Sequence, residues 1–281
     1  MILFWAFVAL AAAEELSQQG ARAMREGRFA DAERIYRQML KASPDDPRLR
    51  MNLGLALHSG HKFKQAIPEL ERYLKASPKP GPVHLMLGVA HLKLGRPCDA
   101  IEALEKARQW QSGVPVLVEL GDAQYGCKRF LDAARTYRSA AELQPDDPRF
   151  ARAGARAFWQ AREYPDARRL YAAMAHRHGT DPEFLYEYGD TLARLEGPEA
   201  GLASLQRAVE AAPGLVAARG ALGRVLMDLH RAAESVPHLE AGAAADPTLL
   251  LPLSRAYKAT GRAEDAARAE AQYRQALGRP R

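Results

Sequence analysis

Cysteine is nearly absent from this chain: Cys98 and Cys127 are the only two in 281 residues. They do not form a paired metal-binding motif, and there is no glycine-rich phosphate loop and no H-E-x-x-H. The eight histidines are scattered. His58 and His61 straddle one expected helix end, and His176 and His178 sit at another, whereas zinc needs three or four converging ligands. Acidic residues fall at helix starts or beside arginine, the pattern of solvated pairing rather than of general acid–base work. No low-complexity linker is present. These absences argue against an enzyme, and no metal or cofactor is expected. A long apolar run is missing too. Ile2–Leu10 is too short to cross a hydrocarbon core of roughly 30 Å as a helix.

What the chain does have is a beat of 34 residues. Leu53-Gly54, Ala66, Leu70 and Pro78 recur as Leu120-Gly121, Ala133, Tyr137 and Pro145, and again as Leu222-Gly223, Ser235, Leu239 and Pro247. A fixed period of this length implies one helix-turn-helix unit copied end to end, which predicts a solenoid rather than a globular fold.

The pattern resembles the tetratricopeptide repeat. That family's unit has bulky residues at positions 4, 7 and 11, small ones at 8, 20 and 27, an aromatic or leucine at 24, and proline at 32. Here position 8 is Gly20, Gly54, Gly88, Gly121, Ala155, Gly189 and Gly223, and position 20 is Ala32, Ala66, Ala100, Ala133, Ala167, Gly201 and Ser235. The resemblance implies an all-α, right-handed superhelix of seven to eight helix-turn-helix units and fifteen or sixteen helices. The units fall at about 14–46, 47–80, 81–113, 114–147, 148–181, 182–215 and 216–249, with a degenerate unit at 250–281. Small residues at 8 and 20 are expected to face each other where the first helix of a unit (helix A) crosses the second (helix B). The "PDDP" runs at 44–47 and 145–148 combine a helix stop, an Asp N-cap and a first-turn proline. Arg50, His84 and Arg219 occupy the usually apolar position 4, so looser packing is expected there. The last helix, rich in charge and alanine, fits a solvating cap.

Residues 1–13, "MILFWAFVALAAA", read as a secretory signal. Small residues at 11–13 suit a signal peptidase, and cleavage would leave Glu14 at the start of the first repeat. The alternative is an uncleaved apolar tail or a misassigned start. Export would make the mature protein secreted or periplasmic, with no membrane-spanning segment. In the repeat frame Cys98 and Cys127 lie on the same edge of neighbouring units, where they either bridge or remain two partly buried thiols.

The formal net charge is +6, with the excess concentrated in 128–178, a segment that carries eleven basic and six acidic side chains. One basic segment suggests a local anionic contact rather than nucleic acid. The resemblance places helix-A positions 2, 5, 6, 9, 12 and 13 on a groove that binds peptides. Those positions give an apolar stretch of Met51, Leu55, Leu85, Met86, Val89, Leu92 and Val118, then Arg149, Arg152, Arg156 and Trp159, then Glu183, Tyr186, Glu187 and Asp190. The arginines and Trp159 would seat a partner with an acidic segment. Alternatively, the fifth and sixth repeats neutralise each other and the apolar residues pack between units. The family's two-carboxylate clamp is not supported, because of its positions only Asn52 matches. The resulting expectation is a non-enzymatic scaffold of the cell envelope or exterior that binds a protein or peptide. The alternative is a structural adaptor in a polysaccharide or pilus export machine.

Overall fold

A computed structural model describes residues 2–76 and 82–278, with the side chains of 2–12, 177, 178 and 277 left aside. Among the described residues it contains sixteen α-helices, one 3-10 turn (Pro247–Leu249) and no strand. Pro78, one of the repeat markers, lies outside the described residues. The helices divide into two compact units, Met1–Gln144 and Pro145–Arg281.

The first unit holds α1 (Ile2–Arg25), α2 (Phe29–Ala42), α3 (Pro47–Ser59), α4 (Phe63–Ala76), α5 (Val83–Lys93), α6 (Pro97–Trp110), α7 (Val114–Gly126) and α8 (Phe130–Leu143). Successive pairs form hairpins, and α2, α4 and α6 each pack on the A helix that follows. The second unit repeats the scheme with α9 (Pro148–Gln160), α10 (Tyr164–His178), α11 (Pro182–Glu196), α12 (Pro198–Ala211), α13 (Val216–Asp228), α14 (Ala232–Ala243), α15 (Leu250–Ala259) and α16 (Ala263–Leu277). Each unit is thus a stack of four helical hairpins, the architecture that the 34-residue period implies.

The hairpin crossing shows what the small residue at position 8 makes room for. A Cβ built on Gly54, Gly88, Gly121 or Gly223 would come within 2.6 Å of the side chain at position 24, namely Leu70, Leu104, Tyr137 or Leu239. The missing side chain at position 8 therefore makes room for the large residue at 24. Positions 8 and 20 also meet directly in the sixth and seventh repeats: Gly201 lies against the Gly189 carbonyl, and the Ser235 hydroxyl donates to the Gly223 carbonyl at 2.9 Å.

The caps follow the "PDDP" reading. The Asp46 and Asp147 side chains accept hydrogen bonds from the backbone N–H groups of Arg48 and Arg149, at 2.8 and 3.0 Å. Arg50 and Arg219, expected to loosen their repeats, instead fasten them. Each donates to the carbonyl of the proline that ends the previous B helix, Pro44 and Pro213 respectively, and Arg50 also pairs with Glu69 at 3.1 Å. A long side chain here trades apolar filling for a hydrogen bond to a carbonyl of the turn just beyond the helix. In α16, Ala266 and Ala269 are buried and most of the charged side chains are exposed, as a terminal helix requires.

Cys98, at the start of α6, and Cys127, just after α7, are joined by a disulfide, with Cα atoms 4.9 Å apart. α1 runs without a break from Ile2 to Arg25, so the Ala13–Glu14 bond lies inside a helix. Among the described residues no helix is long and apolar enough to cross a membrane.

Candidate functional site

Two faces hold the residues singled out from the sequence, one in each unit.

In the first unit, α3, α5 and α7 lie side by side. Their 5, 6 and 9 positions share one face. Met51, Leu55, Leu85, Met86, Val89, Leu92 and Val118 are all half-buried. Met51 and Met86 rest on the core around Leu53, Leu57 and Leu87, and Leu85 and Leu92 rest on that around Leu104 and Leu120. Leu55 and Val89 belong to the same row. This is a strip of apolar side chains anchored at the base and open to solvent above. At its α7 end the chemistry changes to Glu119 and Asp122. Burial pushes the Glu119 carboxyl up, and the neighbouring Asp122 charge adds to this, against an opposing influence from Lys93. Asp122 accepts a hydrogen bond from the Tyr137 hydroxyl. Toward α1, an open cleft of about 990 Å³ is lined by Leu16, Ser17, Met39, Leu49 and Asn52.

In the second unit the structure brings the predicted basic and acidic groups together, and that corrects the reading of free arginine anchors. Arg152 of α9 pairs with Asp181 at 2.5 Å and lies 3.7 Å from Glu183. Arg156 pairs with Glu183 at 3.3 Å and donates from Nε to Glu187. Trp159 Nε1 donates to Asp190 at 2.8 Å, and its ring meets Tyr186 edge-on with centroids 5.8 Å apart. Asp190 also receives Arg194 at 2.6 Å. Arg149 folds back onto its own N-cap, Asp147, at 2.7 Å. The cause is the periodicity itself. Side chains at 5, 9 and 12 of one A helix lie beside those at 2, 6 and 9 of the next, so complementary charges there close on each other.

The electrostatics follow from burial. Glu187 is 2% exposed. Burial pushes its carboxyl up, opposed by the Arg156 guanidinium and by hydrogen bonds from Arg156 and the Tyr171 hydroxyl. The Tyr171 hydroxyl is pushed well above its ordinary range by burial and by the Glu187 charge. For Asp181, burial is outweighed by the Phe184 N–H and Arg152, which hold its carboxyl below the usual range. Tyr186 is pushed up to about 12, chiefly by burial. Such a network ties α9 to α11, with Glu187 and Asp190 enclosed and Arg156 and Glu183 still reaching solvent. Among the described residues no group of three or more His, Cys, Asp or Glu side chains is placed to hold a metal ion.

Stacked helical hairpins with a 34-residue period define a repeat protein, and the comparisons specify which. Tetratricopeptide repeat profiles match residues 19–87, 56–120, 118–182 and 152–216. The chain belongs to the tetratricopeptide repeat family. It is similar to the Hsp70-Hsp90 organizing protein of Triticum aestivum, 31% identical over 94 residues. That match covers 34% of this chain but only 16% of the wheat protein. Among solved structures, YrrB, described as a TPR protein with an unusual peptide-binding site, superposes with a TM-score of 0.56 at 18% identity, covering 65% of this chain and 95% of its own. A tetratricopeptide repeat protein from Parabacteroides merdae superposes with a TM-score of 0.52 at 12% identity, covering 88% of this chain and 99% of its own. At these identities the structural likeness concerns the fold.

Proposed function

We propose that this protein is a non-enzymatic scaffold that binds a protein or peptide segment along the α3–α5–α7 face of its first unit. The family is one of peptide- and protein-binding repeats. The observation that carries the assignment is the contrast between the two faces. Between α9 and α11 of the second unit the groove positions are closed by ion pairs, whereas along α3 and α5 of the first most of them are apolar and half-exposed. Burying such a strip yields roughly 25 cal/mol per Å² of apolar area, and two methionines let it adapt to a partner's shape.

The test uses Leu55 and Val89, two half-buried residues of the strip. Panning a random 12-residue peptide library on the purified protein is expected to yield binders. Leu55→Glu with Val89→Glu should weaken them at least tenfold, with helical content unchanged by circular dichroism. Binders indifferent to both changes would place recognition elsewhere.

The same reading puts the protein in the envelope or exterior. It is supported by the apolar run at 2–10, the small residues at 11–13 and the Cys98–Cys127 bridge, a bond that persists in oxidising compartments. Intact mass and non-reducing peptide mapping of the protein from its native cell are expected to give a chain starting at Glu14 with Cys98 and Cys127 cross-linked. An intact Met1 together with free thiols would overturn the location.

A further inference from the structure

We propose that the segment bound on this face carries a lysine or arginine next to its apolar residues, received by Glu119 with Asp122 beside it; this rests on the groove reading above. The face is apolar along α3 and α5, where positions 5 and 9 are Met51 and Leu55, then Leu85 and Val89. On α7 the row continues as Val118 and then turns acidic at Glu119 and Asp122. A ligand lying across the helices therefore meets apolar contacts first and negative charge at one end.

Glu119 differs from Glu33 and Glu69, two other half-buried carboxylates of its unit. Glu33 is bound by Arg37 and Lys62, and Glu69 by Arg50 and Arg72. Glu119 makes no ion pair and no hydrogen bond among the described residues. Lys93, exposed at the end of α5, acts on it through space but does not close onto it. Two carboxylates face one ammonium, and the excess is one negative charge. The partial burial and the like charge of Asp122 already disfavour the ionised carboxylate, so an arriving cation relieves a cost that the free protein carries. A partner cation would form a charge-assisted hydrogen bond at the wet edge of an apolar contact, a placement that sets orientation as well as affinity. The second unit cannot offer the same charge, because Asp181, Glu183, Glu187 and Asp190 are each held by an arginine of that unit.

The deciding experiment is the same random 12-residue library, panned on the full chain and on Glu119→Lys, with affinities of synthetic winners measured by fluorescence anisotropy. Winners from the native chain are expected to carry two or more apolar residues followed by Lys or Arg. Glu119→Gln should weaken them about tenfold or more, and panning on Glu119→Lys should shift the terminal preference to Asp or Glu. Suppose winners are lost with Leu55→Glu and Val89→Glu yet show no charge preference and ignore Glu119→Gln. The groove reading then stands and the basic end is wrong. Winners indifferent to Leu55 and Val89 would remove both.

Discussion

Gly201→Ala is expected to destabilise the second unit by about 1–3 kcal/mol or more, as an overpacked core does. The added methyl carbon would sit 2.2 Å from the Gly189 carbonyl oxygen, 2.7 Å from Ala193 Cβ and 3.0 Å from the Ala193 nitrogen. Two of those three atoms are backbone, so no rotamer change relieves the clash, and α11 and α12 must move apart. The helices have little freedom to do so. A single residue, Gly197 at φ 109°, joins Glu196 of α11 to Pro198 of α12. The substitution also raises helix propensity, by up to about 1 kcal/mol, but that gain is smaller than the clash. Gly54→Ala is the informative comparison. Its nearest neighbours are Leu70 Cδ2 and Cγ, at 2.5 and 2.9 Å, and a leucine tip can turn away. Urea denaturation should rank Gly201→Ala as the more damaging of the two. Equal or reversed costs would mean that the α11–α12 crossing is looser than the structure has it.

The repeat frame was legible because it is written in side chains whose size is constrained at every copy. Gly54, Gly88, Gly121 and Gly223 all make room for position 24, and Asp46 and Asp147 cap as their sequence context demands. Which neighbour takes the room left at position 8 is not set by size alone: the side chain at 24 takes it beside Gly54, Gly88, Gly121 and Gly223, while position 20 also meets position 8 in the sixth and seventh repeats. The arginines at position 4 were read by hydrophobicity, which ranks Arg50 and Arg219 as defects; their hydrogen bonds to Pro44 and Pro213 emerge only when the turn between repeats is built. Another signal passed unnoticed. Gly27, His61, Gly95, Lys128, Arg162 and His230 all adopt positive φ at the A–B turn, and a 33- or 34-residue recurrence of glycine and polar residues there marks it. The site was legible as a list of groove positions but not as a state of charge. Whether Arg152, Arg156 and Trp159 face a partner or one another depends on the side-by-side placement of α9 and α11, about 30 residues apart in sequence.

That placement makes Arg156→Gln the sharpest test of the charge network, through its dependence on pH. Glu187 is buried, and its carboxyl is already raised by burial against the pull of Arg156. Removing the guanidinium takes away the strongest influence holding the carboxylate ionised, so the folded variant should keep the proton to higher pH. An acid whose folded pKa lies above its unfolded value favours the native state most at low pH. Its contribution is lost as pH rises from the unfolded value, about 4.3, to the raised one. The deficit relative to the parent protein should therefore be small near pH 4.5 and grow toward pH 8. It is expected to reach about 1–3 kcal/mol at neutral pH, below the cost of breaking a fully buried pair because Arg156 is itself 43% exposed. Thermal or urea melts across that range measure it. The double variant Arg156→Gln/Glu187→Gln removes the titrating group and should melt with little pH dependence beyond the parent's own. Arg149→Gln, by contrast, removes a solvent-exposed contact with Asp147 and should leave stability nearly unchanged at any pH. A single Arg156→Gln variant as stable as the parent at pH 8 would mean that the α9–α11 arginines are dispensable to the fold and free to meet a partner, returning the second unit's face to the list of binding surfaces.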